Sequence, residues 1–156
     1  MTPGPGDGVY APDGPGNNDA TPERRTMDPL GGRIELSLPP DSRYMRLARL
    51  MASGVATTCG LPLEEVEDFR IAVDELCATL MEMGDGQPVR LAFDLGSDTL
   101  EVVATTAASR REAIDEERLA LSRQILDVVT DGHDLFQAEG RVSFSARKLV
   151  RGRGVG

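Results

Sequence analysis

The most informative stretch of this chain is Asp68-Phe-Arg-Ile-Ala-Val-Asp-Glu-Leu-Cys-Ala-Thr-Leu-Met81. Its apolar residues recur every three or four positions, which is the spacing of one buried face of an α-helix. Gly84-Asp85-Gly86 ends the pattern, because two glycines around an aspartate favour a turn. We therefore predict a long helix over residues 63–83 with a buried face made of Val66, Phe69, Val73, Leu76, Cys77 and Leu80.

Upstream of this helix, the sequence predicts a strand and a second helix. Apolar residues alternate with polar ones from Arg33 to Leu38, which indicates a half-buried strand made of Ile34, Leu36 and Leu38. Pro39 and Pro40 end the strand, and Asp41 or Ser42 is a suitable cap for a helix that runs to about Thr58. The spacing predicts that this helix buries Tyr44, Leu47, Met51 and Val55.

Downstream, strict alternation predicts a strand over residues 89–95, a turn at Gly96-Ser97-Asp98 and a return strand over residues 99–105. A polar loop, residues 106–113, leads to a helix over residues 114–130, and two strands near residues 133–137 and 141–150 close the chain. We expect this last helix to bury Ile114, Leu121, Ile125 and Val128.

The resulting order is β-α-α-β-β-α-β-β, which predicts an α+β two-layer sandwich. A mostly antiparallel, mixed sheet would carry three helices on one face. This domain spans residues 33–150. Residues 1–32 hold six of the ten prolines and seven of the seventeen glycines, a composition that favours a disordered tail. Residues 151–156 are expected to form a short flexible C-terminus.

Charge and composition exclude several kinds of partner and site. The net charge is −9 and the pI is about 4.6, which argues against binding to nucleic acid or to an anionic membrane surface. Neither a signal peptide nor a long apolar span is visible, so we expect a cytoplasmic protein. Cys59 and Cys77 form no metal motif, and His133 alone predicts no metal site, only a histidine in a surface turn.

The run Ile71-Ala-Val-Asp-Glu-Leu-Cys77 resembles the N-box helix of the anti-sigma-factor serine kinases in the GHKL superfamily. The element order is also similar, over about residues 33–150, and the resemblance is closest to the actinobacterial proteins called RsbW or UsfX. It implies a homodimer that binds an alternative sigma factor and keeps it from RNA polymerase. A STAS-domain anti-anti-sigma factor would compete for the same protein, and kinase-active members phosphorylate that antagonist on a serine with ATP.

The resemblance also implies where a nucleotide would bind. Glu75 occupies the family's general-base position, and Thr79 replaces the asparagine that binds Mg²⁺. Thr105 or Thr106 replaces the aspartate that recognises adenine. The glycine-rich lid corresponds to Arg118-Leu-Ala-Leu-Ser-Arg-Gln-Ile125, which contains no glycine, although Arg118, Ser122 and Arg123 could offer polar contacts.

We interpret the chain as an anti-sigma factor that retains sigma binding but does not use ATP efficiently. The alternative is an ATP-dependent serine/threonine kinase, for which ATP and Mg²⁺ would be the cofactors by resemblance. Spacing by itself suggests a plainer role for Glu75, because Asp68, Glu75 and Glu82 recur every seven residues and would form a solvated acidic face.

A basic stripe on the first helix is the candidate partner surface. Arg43, Arg46 and Arg49 lie three residues apart on an otherwise acidic protein. In the resembling family this helix contributes to the surface shared by the sigma factor and its antagonist, and arginine is well suited to pairing with carboxylates at interfaces. A solvated helix face is the alternative interpretation.

Overall fold

The computed structural model describes residues 31–108 and 115–151. Residues 1–30 of the predicted tail, Ile114 and residues 152–156 lie outside these ranges. The elements are β1 (Gly32–Leu38), a 3-10 turn (Ser42–Tyr44), α1 (Met45–Thr58), α2 (Leu63–Met83), β2 (Val89–Leu95), β3 (Thr99–Ala107), α3 (Glu116–Val129), β4 (Gly132–Ala138) and β5 (Arg141–Leu149).

The five strands form one sheet in the order β1-β2-β3-β5-β4, and every neighbouring pair is antiparallel. The predicted α+β sandwich with three helices is confirmed, and the sheet contains no parallel pair within the described ranges. The β4–β5 hairpin turns through Glu139 and Gly140, whose φ angles of 45° and 75° match the twist of the flanking strands. We call the sheet face that packs on the helices the inner face and the opposite one the outer face.

Helix α2 lies at the centre of the helical layer, in contact with α1, α3 and three strands. Its predicted buried face is confirmed at every position. Phe69 of α2 meets Phe93 of β2 edge to face, with ring centroids 6.2 Å apart. The helix is thus fixed to the inner face of the sheet by large apolar side chains that solvent does not reach.

The predicted buried face of α1 is wrong in part. Tyr44 is 38% exposed and Leu47 is 42% exposed, whereas Val55 is buried as predicted and Met51 is half-buried. The buried positions are instead Met45, Ala48, Ala52, Val55 and Ala56. Alanine has a short side chain that lets α1 approach α2 closely, so the packing selected the alanine stripe over the neighbouring stripe of larger residues.

The predicted buried face of α3 is also wrong in part. Leu121 is 52% exposed and Val128 is 82% exposed, while Ile125 is half-buried. The buried positions are Leu119, Ser122, Leu126 and Val129. Because the buried stripe contains a serine, its apolar pattern is interrupted. The apolar spacing therefore favoured the neighbouring stripe, which contains only apolar residues. Ser122 is buried because it meets polar side chains of α2.

Candidate functional site

Glu75 lies in the middle of α2 and faces α3. Its Oε1 accepts a hydrogen bond from Arg118 Nη1 at 2.7 Å and another from Ser122 Oγ at 2.6 Å. The Glu75 side chain is 15% exposed and that of Arg118 is 29% exposed. Glu75 therefore belongs to a half-buried ion pair, and the expectation of a solvated acidic face is wrong at this position.

Two further α2 residues complete this contact. Arg118 Nε lies 3.3 Å from Glu82 Oε2, and Thr79 Oγ1 lies 3.1 Å from Ser122 Oγ. We call the group Glu75, Thr79, Glu82, Arg118 and Ser122 the α2–α3 polar bridge. The pKa of Arg118 is raised, chiefly because Glu75 accepts its hydrogen bond. The bridge thus holds α3 against α2 with charge-assisted bonds.

The hydroxyl protons of the bridge have one consistent arrangement when Glu75 is ionised. A carboxylate only accepts hydrogen bonds, so the Ser122 hydroxyl donates to Glu75. Ser122 Oγ then accepts from Arg118 Nη1 at 2.9 Å, and the Thr79 hydroxyl donates to Ser122 Oγ. Ser122 is fully buried, and all its hydrogen-bonding capacity is used within the bridge.

Local sequence explains how each helix presents its half of the bridge. Glu75, Thr79 and Glu82 are spaced by four and three residues, so they share one face of α2. Arg118 and Ser122 are spaced by four residues on α3. Asp115 accepts hydrogen bonds from the backbone N–H groups of Glu117 and Arg118, which fixes the start of that helix.

The two threonines proposed for adenine recognition lie on opposite faces of the sheet. Thr106 is 2% exposed on the inner face, and its hydroxyl donates to the Pro88 carbonyl at 3.2 Å. Thr105 lies on the outer face, where its Oγ1 is 3.2 Å from Ser143 Oγ. The structure therefore brings Glu75 and Thr79 together, leaves Thr105 apart from them, and pairs Thr106 with the backbone before β2.

The Glu75 and Thr79 side chains both form hydrogen bonds within the protein. Mg²⁺ requires oxygen ligands in near-octahedral geometry, commonly carboxylates and phosphates. Thr79 is 3% exposed with its hydroxyl bonded to Ser122, and the Glu75 carboxylate is paired with Arg118. Within residues 31–108 and 115–151, no group of three acidic, histidine or cysteine side chains could hold a metal ion.

The remaining residues singled out in the sequence take structural positions. His133 lies in β4, 16% exposed at its side chain, with Nε2 2.6 Å from Asp127 Oδ1 of α3, so its prediction as a surface turn residue is wrong. Lys148 is buried, and its Nζ lies 3.7 Å from Asp68. Burial raises the pKa of the Cys77 thiol to about 12, which keeps it protonated.

The three arginines of the basic stripe have different surroundings. Arg43 Nη2 lies 2.6 Å from Asp41 at the start of the 3-10 turn, and Arg49 Nε lies 2.7 Å from Asp74 of α2. Arg46 is exposed and has no ion pair with any residue that the structure describes. Of the stripe, Arg46 presents the charge that is most available to a partner.

Comparison with known proteins identifies the family. The sequence profile described as the histidine kinase-like ATPase domain matches residues 38–154. The chain belongs to this family. The described part of this histidine kinase-like ATPase domain also contains no helix with the length and apolar character needed to cross a lipid bilayer.

The resemblance of this family member to RsbW proteins is confirmed. It is 32% identical over 74 residues to the serine-protein kinase RsbW of Halalkalibacterium halodurans, a match that covers 46% of each chain. It is 31% identical over 75 residues to a Bacillus cereus serine-protein kinase RsbW, covering 46% of this chain and 47% of the relative. The chain thus spans about half the length of these relatives.

A solved structure shows the same fold. The SiaB-SiaC complex from Pseudomonas aeruginosa contains a chain that superposes with a TM-score of 0.51 at 13% sequence identity. The superposition covers 74% of the present chain and 89% of that chain. At this identity the comparison supports the architecture of the domain and nothing about its chemistry.

Proposed function

We propose that this protein is an anti-sigma factor that sequesters an alternative RNA polymerase sigma factor and releases it to a STAS-domain anti-anti-sigma factor, without efficient use of ATP. It would act in the cytoplasm as a homodimer. The similarity to RsbW proteins supports the partner class. The observation that carries the proposal is the Glu75–Arg118 ion pair, because it engages the position that the family uses as a general base.

A general base must be free to accept a proton from a water or a hydroxyl group. Both hydrogen bonds from Arg118 and Ser122 end on Oε1 of Glu75 and hold its carboxylate in the contact between α2 and α3, so a water or hydroxyl group would have to approach Oε2. The bridge is also made only of this chain's side chains, so the position of α3 against α2 needs no ligand. This favours a protein that works by occupying its partner's surface.

A second function has two observations in its favour. Glu75 is retained at the N-box position, and the relatives are named serine-protein kinases. On this alternative the protein phosphorylates the anti-anti-sigma factor on a serine with Mg²⁺-ATP. The two functions differ in whether the free protein binds nucleotide. Nucleotide binding can be measured directly.

We expect the melting temperature of the protein to stay unchanged in millimolar Mg²⁺-ATP. A ligand that binds the native state at 100 times its Kd adds about 2.7 kcal/mol to the free energy of unfolding, which raises the melting temperature by several degrees. Differential scanning fluorimetry makes the comparison, with an authentic RsbW kinase as the positive control. A saturable rise that Glu75→Ala abolishes would favour the kinase.

We expect a stable complex with an alternative sigma factor of the source organism when the two are co-expressed without added nucleotide. Arg46→Glu should raise the Kd of that complex at least about tenfold, since interface arginines contribute strongly to affinity. Arg90→Glu is the matched control, because Arg90 is exposed on the outer face of the sheet. If both variants bind the sigma factor with equal affinity, Arg46 is not part of the interface. If the protein co-purifies with no sigma factor, the proposed function is wrong.

A further inference from the structure

The outer face of the sheet carries no helix in the part of the chain that the structure describes. An antiparallel sheet can leave one face in water, and such a face is then mostly polar. Phe136 of β4 departs from this rule, because it lies on the outer face and its side chain is 65% exposed. A single exposed phenylalanine is ordinary, so its meaning depends on the side chains around it.

Polar and cationic side chains lie beside Phe136. Across the sheet, Phe136 is paired with Ser143 of β5. Ser143 is paired in turn with Thr105 of β3, which is paired with Arg90 of β2. With strands about 4.8 Å apart, this row is about 14 Å long. Arg141 lies two residues from Ser143 along β5, on the same face. We call Arg90, Thr105, Phe136, Arg141 and Ser143 the outer-face patch.

The two arginines of the outer-face patch have no carboxylate partner. Neither Arg90 nor Arg141 forms an ion pair within the described ranges, and Glu139 in the adjacent turn is not within ion-pair distance of either. At the opposite end of the same face, Arg33 and Arg147 are each paired with an aspartate, at 3.1 Å and 3.8 Å. Arginine and aromatic side chains are enriched at interaction surfaces, where arginine pairs well with carboxylates. The patch therefore fits an acidic segment that also carries an aromatic side chain.

The chain's own N-terminus contains a segment of this chemistry. Residues 1–23 include four acidic residues and no lysine or arginine. Within them, the run Asp7-Gly-Val-Tyr-Ala-Pro-Asp13 places Tyr10 between two aspartates. Tyr10 is also the only aromatic residue before Tyr44. Residues 7–13 thus offer two carboxylates and one aromatic ring to a surface that presents two arginines and a phenylalanine.

The length of chain before β1 matches the distance to the patch. β1 begins at Gly32, whose partner Leu95 lies five residues along β2 from Arg90. Strand spacings place Gly32 about 18 Å from Arg90 and about 28 Å from Arg141. Eighteen residues separate Asp13 from Gly32, and a flexible coil of that length spans about 24 Å. A linker that matches the span gives its attached segment a high local concentration at the site.

We propose that residues 7–13 bind the outer-face patch of the same molecule, with Tyr10 against Phe136 and one aspartate beside each arginine. The contact shields the phenylalanine from water and neutralises both cations. The surface of α1 is a weaker site for this segment, because Arg46 is the only arginine of its basic stripe without an ion pair. The inference goes beyond the proposed function, since α1 and the outer-face patch lie on opposite sides of the sheet.

Tyr10→Ala tests the contact by heteronuclear NMR of the full chain at low ionic strength. Loss of the Tyr10 ring should shift the amide signals of Thr105, Phe136 and Ser143, which lie more than 90 residues away along the chain. The backbone order parameters of residues 9–11 should fall from above about 0.6 in the wild type to below that value, which marks a flexible backbone. Thr21→Ala is the matched control in the same stretch and should leave the outer-face signals unchanged.

Charge reversal tests the ion pairs. Arg90→Glu/Arg141→Glu should release residues 7–13, with the same fall in their order parameters, and it breaks no ion pair within the described ranges. Asp7→Arg/Asp13→Arg should release the segment as well. Combining the two double variants opposes unlike charges again, so the order parameters should return to the wild-type values. Circular dichroism checks that each variant is folded.

Two further measurements serve as controls. Arg46→Glu/Arg123→Glu is the matched double reversal on α1 and α3, and it should leave residues 7–13 as ordered as in the wild type. Salt should release the segment from the wild type, because the screening length falls from about 30 Å at 0.01 M to about 3 Å at 1 M ionic strength. Tenfold dilution should leave the signals unchanged, since the contact is intramolecular.

Four results would overturn the proposal. Folded Tyr10→Ala leaves the outer-face signals where they are, or Arg90→Glu/Arg141→Glu leaves residues 7–13 ordered. Signals of α1 shift in place of those of the outer face, which assigns the segment to the Arg46 surface. Signals that change on dilution assign the patch to the N-terminus of a second copy. Capture of a sigma factor is measured separately by co-expression, so it can stand or fail independently of this contact.

Discussion

Replacing Arg118 by methionine should lower the free energy of unfolding by about 2–3 kcal/mol. The change removes the cation from the Glu75 carboxylate, which is only 15% exposed, and deletes the hydrogen bonds of Arg118 to Ser122 and Glu82. The loss is smaller than for a fully buried ion pair, because water reaches part of the Arg118 side chain. Methionine keeps most of the apolar volume of the arginine side chain. The loss in free energy of unfolding therefore reports the loss of the positive charge and its hydrogen bonds.

Urea denaturation measures this loss, and a double-mutant cycle assigns it to the pair. Glu75→Gln combined with Arg118→Met should be less destabilising than the sum of the single changes, by about 1–2 kcal/mol. Arg123→Met is the control on the exposed side of the same helix and should change stability by less than about 0.5 kcal/mol. If Arg118→Met costs no more than Arg123→Met, the bridge does not hold α3 in place.

Replacing Phe69 by alanine should lower the free energy of unfolding by about 3–5 kcal/mol. Phe69 is fully buried, and its ring meets Phe93 edge to face at the contact between α2 and the sheet. Alanine leaves a cavity at this contact, which the rigid sheet cannot fill, and it also removes the aromatic pair. The change acts on the helix that carries Glu75 and Thr79.

The same denaturation experiment checks this expectation. Leu63→Ala is the control on α2, since Leu63 is 76% exposed and its loss should cost little. A cost below about 1 kcal/mol for Phe69→Ala would mean that the α2–sheet contact collapses around the smaller side chain or is not the centre of the core. The m-value should stay constant in both variants if folding remains two-state.

Local sequence patterns predict the helices and strands of this domain. Every helix and strand of the described ranges was predicted with its bounds to within a few residues, and so was the buried face of α2. These features follow from apolar periodicity, proline and glycine breaks, and capping residues, which are local interactions between residues close in sequence. The α+β class follows from their order, and the N-box motif pointed to the family before any contact was known.

Packing between elements determines which side chains are in contact. Ala48 and Ala52 replaced the larger residues predicted to be buried on α1, because close packing with α2 favours small side chains. Alternation along β3 separated Thr105 from Thr106, and pairing of β4 with β5 placed His133 in a strand opposite Ala146. The packing of α1 and the surroundings of His133 depend on which neighbouring element covers a residue, and no local pattern encodes that neighbour.

Glu75 illustrates most directly the difference between what local sequence predicts and what tertiary packing determines. The sequence predicts it on the long helix, on the side away from the apolar face, at the position that the resemblance assigns to a general base. Only the fold could bring Arg118 and Ser122 against it, because they lie 43 and 47 residues away along the chain. The packing of α3 leaves Glu75 only 15% exposed at its side chain, and the ion pair with Arg118 makes it a residue that joins the two helices.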